Sequence, residues 1–154
     1  LPDNKLFLTS GYNAGAAIMH VKGRNEAEVI RRLEARREFG SDQQTPILYE
    51  GYLYGVTTGG EMTCLTVEGD IVWKSGVKNR YGLGPYILAD GKLLVLHDMK
   101  GTLHIIEATP DGFNELDSVQ VIDGHDAWAP MAIAAGRIIL RDITQIKCIE
   151  LPRP

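Results

Sequence analysis

Apolar and polar positions alternate most clearly between Thr45 and Lys74, in the stretch TPILYEGYLYGVTTGGEMTCLTVEGDIVWK. The alternation predicts four short strands. Residues 46–49 are a brief apolar run, Glu50-Gly51 is a turn, and 52–56 is a second run rich in aromatic and β-branched side chains. Gly59-Gly60 turns the chain again, 62–67 alternates, and Glu68-Gly69-Asp70 leads into a last run at 71–74. One such meander cannot bury both of its faces, so it requires neighbours of its own kind.

Those neighbours are present. Gly51, Gly91 and Gly136 each follow a short run led by proline (PILYEG, PYILADG, PMAIAAG), with anchors 40 and then 45 residues apart. That period suits the four-stranded blade of a β-propeller and is too long for leucine-rich or hexapeptide solenoids. Leu65 and Ile105 lie fourteen residues beyond the first two anchors, and the same offset counted back from Ile18 lands on Asn4. The chain therefore reads as all-β. Its four-stranded antiparallel blades cover approximately 1–42, 43–82, 83–127 and 128–154, about three and a half blades in a single domain.

In order, the first blade lacks its inner strand and the last its outer one, which leads us to expect the C-terminal part of a larger propeller. Propellers carry about four to eight blades, so an unclosed set leaves two apolar blade faces open, and a second copy is a natural cover for them. One segment is ambiguous. Asn25 is a possible N-cap with Glu28 three residues on, and NEAEVIRRLEARREF reads locally as a helix closed by Gly40. By repeat it is the outer strand of the first blade, and that reading is preferred because local propensity yields to tertiary context.

Composition changes little, apart from what it excludes. The 154 residues carry a net charge of −4, so no basic excess is available to neutralise phosphates, and no nucleic-acid partner is expected. There is no apolar run of about 18 residues, hence no transmembrane helix. The sequence holds no GxSxG, HExxH, CxxC or P-loop motif, and no catalytic residue stands out.

QTPILYEGYLYG (44–55), GDIVWK (69–74) and AWAPMAIAAGRIILRD (127–142) resemble the PQQ-like, or quinoprotein alcohol dehydrogenase-like, propeller repeat, also seen in BamB-type lipoproteins. Two departures are evident: the repeat's usual third-strand aspartate is replaced around 65–68, and only the second blade keeps an outer-strand tryptophan. The resemblance implies a periplasmic or extracellular propeller and allows two functions. One is a non-catalytic binding or scaffolding platform in the cell envelope for a protein or carbohydrate. The other is a PQQ-dependent oxidoreductase or a degenerate relative, with calcium and PQQ as cofactors.

The quinoprotein reading asks for adjacent cysteines and a tryptophan floor. Cys64 and Cys148 instead take matching third-strand positions two blades apart, where they are expected to be reduced, buried and unbridged. Trp73 is expected to pack between blades, whereas Trp128 precedes an inner strand and can face the channel. The platform is therefore favoured, with no cofactor. Strand directions alternate in a meander, so the inter-blade loops and the turns between second and third strands must emerge on one face. That face gathers the candidate ligand-binding residues Arg80, Tyr81, His97, Asp98, His125, Asp126, Trp128 and Arg141, whose positive members suit an anionic or sugar-like ligand.

Overall fold

The computed structural model describes residues 1–151. Within them the chain is all-β, with fourteen strands in four antiparallel sheets. The first sheet holds β1 (Lys5–Ser10), β2 (Gly15–Gly23) and β3 (Glu26–Leu33). The second holds β4 (Ile47–Tyr49), β5 (Tyr52–Val56), β6 (Met62–Thr66) and β7 (Ile71–Lys74). The third is β8 (Tyr86–Ala89), β9 (Lys92–Leu96), β10 (Thr102–Glu107) and β11 (Glu115–Gln120). The last is β12 (Ala132–Ala134), β13 (Arg137–Arg141) and β14 (Ile146–Glu150). In every sheet consecutive strands are neighbours, as a meander demands.

The repeat has a backbone cause. Glu50-Gly51, Asp90-Gly91 and Ala135-Gly136 are two-residue hairpin turns with both φ angles positive, from 47° to 84°. A turn of that hand matches the twist of its strands and favours glycine at its second position, which is why the glycines recur. Asp3 and Asn4 adopt the same pair of angles, 56° and 54°. Asn4, found by offset alone, thus occupies the anchor position of the first sheet, with asparagine, the residue most tolerant of this region after glycine, in glycine's place. A second regularity lies fourteen residues on. The pairing of third and fourth strands slips just after Ile18 and Ile105 and just before Leu65, within one residue of the same repeat position in each of the first three sheets. A bulge so placed bends each outer strand and sharpens its twist.

Alternation then places the core. Leu53 and Leu65 point toward the first sheet, where they meet Ala16, Ile18, Leu33 and Phe39. Their neighbours Tyr54, Val56, Met62 and Cys64 point the other way and meet Tyr86, Leu93, Val95 and Ile106 of the third sheet. Leu94, Leu96 and Leu103 face Ile138 and Leu140 of the fourth. One apolar cluster sits between each pair of successive sheets, which is the packing of propeller blades. Among the described residues the end faces lack such a neighbour: Leu6, Leu8 and Val29 are exposed on the first sheet, Ile139 and Ile146 on the last.

The ambiguous 26–39 segment resolves in favour of the strand. Residues 26–33 form β3, and the helical preference survives as a single turn closed by the Glu38 N–H donating to the Glu34 carbonyl at 2.8 Å. One of the four arginines in the helix-like run explains the outcome. Arg31 donates to Asp70 Oδ1 at 2.6 Å, to the Glu68 carbonyl at 2.9 Å and to Glu38 Oε1 at 3.0 Å. A strand here thus ties the first sheet to a turn of the second. The expectation for Cys148 is corrected: its thiol is free and exposed, because β14 is an edge strand with no sheet packed over its outer face. Cys64 is free and buried. The prolines and arginine at 152–154, where the sequence reading ends the last blade, lie outside the described residues.

Candidate functional site

The loops between sheets and the turns between second and third strands meet through their backbones. Thr58 N–H donates to the Gly40 carbonyl at 2.8 Å, Asp98 N–H to that of Tyr81 at 3.3 Å, and Ile143 N–H to that of His125 at 3.3 Å. Thr58, Asp98 and Ile143 stand at one offset from their anchor glycines, so this is a third repeated feature. Each loop also reaches back to the preceding sheet. Asp42 Oδ1 accepts from Tyr12 N–H at 3.0 Å, Tyr81 N–H donates to the Gly60 carbonyl at 2.8 Å, and Ala127 N–H to that of Asp98 at 3.1 Å. Every inter-blade loop is thereby clamped between the turns of two consecutive sheets.

Several candidate side chains are built into this clamp. Asp98 is buried; its Oδ2 accepts Leu83 N–H at 2.9 Å, while Oδ1 has no partner among the described residues. The carboxylate fits there only because residue 82 is glycine: a Cβ on Gly82, whose φ is +67°, would stand 2.0 Å from Oδ1. His97 Nδ1 lies 3.4 Å from that oxygen, but it accepts the Met99 N–H at 3.3 Å, so the proton of the neutral ring is assigned to Nε2. Burial and then Lys100 lower the His97 pKa, and the attraction of Asp98 only partly opposes them. Tyr81 lies in the core rather than on the face. Its ring meets His104 edge-on at 5.0 Å, and its hydroxyl reaches Glu115 Oε2 at 3.3 Å. Burial, reinforced by that carboxylate, raises the tyrosine's pKa.

The remaining candidates stay accessible. His125 and Trp128 are exposed, with His125 Nδ1 3.0 Å from Asp126 Oδ2. Trp128 is tethered through its backbone, its carbonyl accepting Gln44 Nε2 at 3.1 Å across 84 residues. That bond joins the starts of the second and fourth sheets. Arg141 is exposed at the end of β13, and the neighbouring Asp142 is buried in its own turn. Burial would raise the Asp142 pKa, but hydrogen bonds from Thr144 and Gln145 outweigh it and hold the group at about 2. Arg80 is exposed and lines a cleft of about 480 Å³ between the first two sheets, together with Asn13, Arg36 and Lys74. The sequence reading did not include those last three. Arg36 was hidden in the helix-like run, and only the pairing of loop with turn brings it to Arg80.

Neither the cysteines nor Trp73 supplies the adjacent pair and open indole face that the quinoprotein reading asks for. Both cysteines are free, and Trp73 is enclosed: its ring packs at 6.1 Å from Tyr54 and 5.9 Å from Phe113, and its N–H donates to the Thr109 carbonyl at 2.8 Å. No face of that indole remains for a planar ligand.

No protein-family model matches the chain, and no curated protein does. Solved structures do. Two structures of AztD from Citrobacter koseri, one of them of the apo protein, superpose with TM-scores of 0.58 and 0.55 at 17% identity, over 96% of this chain. At that identity the likeness establishes the fold, a propeller-type arrangement of antiparallel sheets. The chain spans 41% of the length of either AztD chain. No helix among the described residues is long and apolar enough to cross a membrane.

Proposed function

We propose that this chain belongs to a non-catalytic propeller of the PQQ-like repeat type, acting in the periplasm or outside the cell as a platform that binds a protein or carbohydrate on its loop face. The supporting observation is the clamp. Each loop is hydrogen-bonded to turns of two sheets, so Arg80, His125, Trp128 and Arg141 project from a fixed backbone. A preorganised surface of this kind loses little conformational entropy when a ligand settles on it. Tryptophan and arginine are also the side chains that most often dominate binding energy.

Arrays of glycans and of peptides, probed with the chain and with its Trp128→Ala and His125→Ala variants, test this. Binding that both substitutions weaken, at unchanged melting temperature, is the expected result. Saturable one-to-one binding of PQQ with calcium, accompanied by alcohol oxidation, would replace the platform with the enzyme.

A further inference from the structure

We propose that the cleft between the first two sheets is a binding site for a small acidic sugar: a polyhydroxy body carrying one carboxylate or phosphate group. The proposal rests on the platform reading above and gives one region of that face its ligand class.

The cleft's volume, about 480 Å³, falls in the range of small-molecule sites. Five segments build it: the turn at Asn13, the α-turn at Ala35 and Arg36, the turn from Thr57 to Glu61, the end of β7 at Lys74, and the loop at Arg80. Three cations and one carboxylate thus line it in a chain whose net charge is −4. Among the described residues, no ion pair joins Arg36, Lys74, Arg80 or Glu61 to any partner. The cations are nevertheless partly oriented. Arg36 Nε donates to Asn13 Oδ1 at 3.2 Å, leaving its two terminal amino groups free for a bidentate contact. Lys74 Nζ donates to the Arg37 carbonyl at 3.3 Å and keeps two further N–H groups.

An excess of two positive charges in a concave site favours an anion. The other lining groups specify the rest of the ligand. Glu61 offers a carboxylate, and Thr58 Oγ1, whose proton goes to the Gly40 carbonyl at 3.2 Å or to Asp42 Oδ1 at 3.4 Å, offers lone pairs. Both accept from hydroxyl groups. No aromatic side chain lines the cleft, so nothing is present to stack a planar ligand. Hydroxyls for Glu61 and Thr58, with one anionic group for the three cations, describe a uronate or a sugar phosphate.

Isothermal titration of the whole chain at low salt with D-glucuronate, glucose 6-phosphate, inorganic phosphate and D-glucose tests the proposal. One or both acidic sugars should bind saturably, and which of them does identifies the anionic group. Arg80→Ala and Arg36→Ala, exposed positions whose loss leaves the melting temperature unchanged, should each weaken binding about tenfold. D-glucose should give no saturable heat, and phosphate should bind more weakly than the sugars. Failure of both acidic sugars, affinity unmoved by the two substitutions, or phosphate binding as tightly as glucose 6-phosphate would overturn the assignment. None of these results touches the platform reading, which stands or falls on the array experiment and the Trp128 and His125 variants.

Discussion

The second and fourth sheets are built from the same repeat and have different fates. Cys64 and Cys148 take the same place in their sheets, one pairing with Tyr54 and the other with Ile139. Yet Cys64 is wholly buried and Cys148 is exposed. The second sheet has a neighbour on each side and a fourth strand, β7, along its outer edge. Among the described residues the fourth sheet packs on one side only, and β14 is its last strand. Burial of a strand residue is therefore a property of the pair of sheets, and the strand's own pattern states only which residues share a face.

The largest break in this comparison is expected from Trp73. Its replacement by alanine empties a site enclosed by Tyr54 and Phe113 and should destabilise the fold by about 3–5 kcal/mol, whereas Ile139→Ala on the open face should cost less than about 1 kcal/mol. Urea unfolding of the two variants checks it. Equal costs would mean that the open face of the fourth sheet is covered in solution.

Thiol chemistry sharpens the contrast. Burial pushes the Cys64 thiol up to about 11, opposed only in part by the nearby Tyr54 hydroxyl, which leaves roughly a hundredth of the usual thiolate near neutrality. Ellman's reagent should accordingly titrate one thiol, Cys148, in the native chain and two after denaturation, with Cys64 slower by at least about a hundredfold. A Cys148→Ser variant that still reacts rapidly in its native form would refute the burial difference.

The smallest effect concerns the tie between the first two sheets. Arg31 is one-third exposed, so its ion pairs are screened by solvent, and Arg31→Ala should cost about 1 kcal/mol, less at high salt. Its partner Glu38 has a lowered pKa, through its bond from the Glu34 N–H and then through Arg31. A carboxyl depressed in the fold contributes stability above its unfolded pKa and loses it as the pH falls through the folded one. Melting temperatures taken from pH 7 down to pH 3 should therefore drop less steeply in the variant than in the parent. Identical slopes would show that the pair contributes nothing.

Much of the fold was legible because its signals are local. Glycine after glutamate, aspartate or alanine, at the end of a short apolar run, specifies a hairpin, and the offset to Ile18, Leu65 and Ile105 marks a bulge found in three sheets. The 26–39 run was less legible, since helix formers and strand geometry compete there, and Arg31 decides through partners near position 70. The candidate face was legible only as a set of backbone segments. Topology brings those segments together, but whether a side chain then faces solvent, as Arg80 does, or enters the core, as Tyr81 does, depends on neighbours far along the chain.

By itself, then, the sequence determined the turns, the strands between them and the face each residue shares, because positive-φ turns and twofold alternation act over a few residues. Only the tertiary structure decided which of two equivalent cysteines is shielded. It also decided that Asp98 and Asp142 hold turns while Trp128 stands free, and that Arg36, Lys74 and Arg80 converge on one cleft. Shielding and convergence require a second sheet placed against the first, and the strength of a charge or a thiol depends on what that second sheet removes from water.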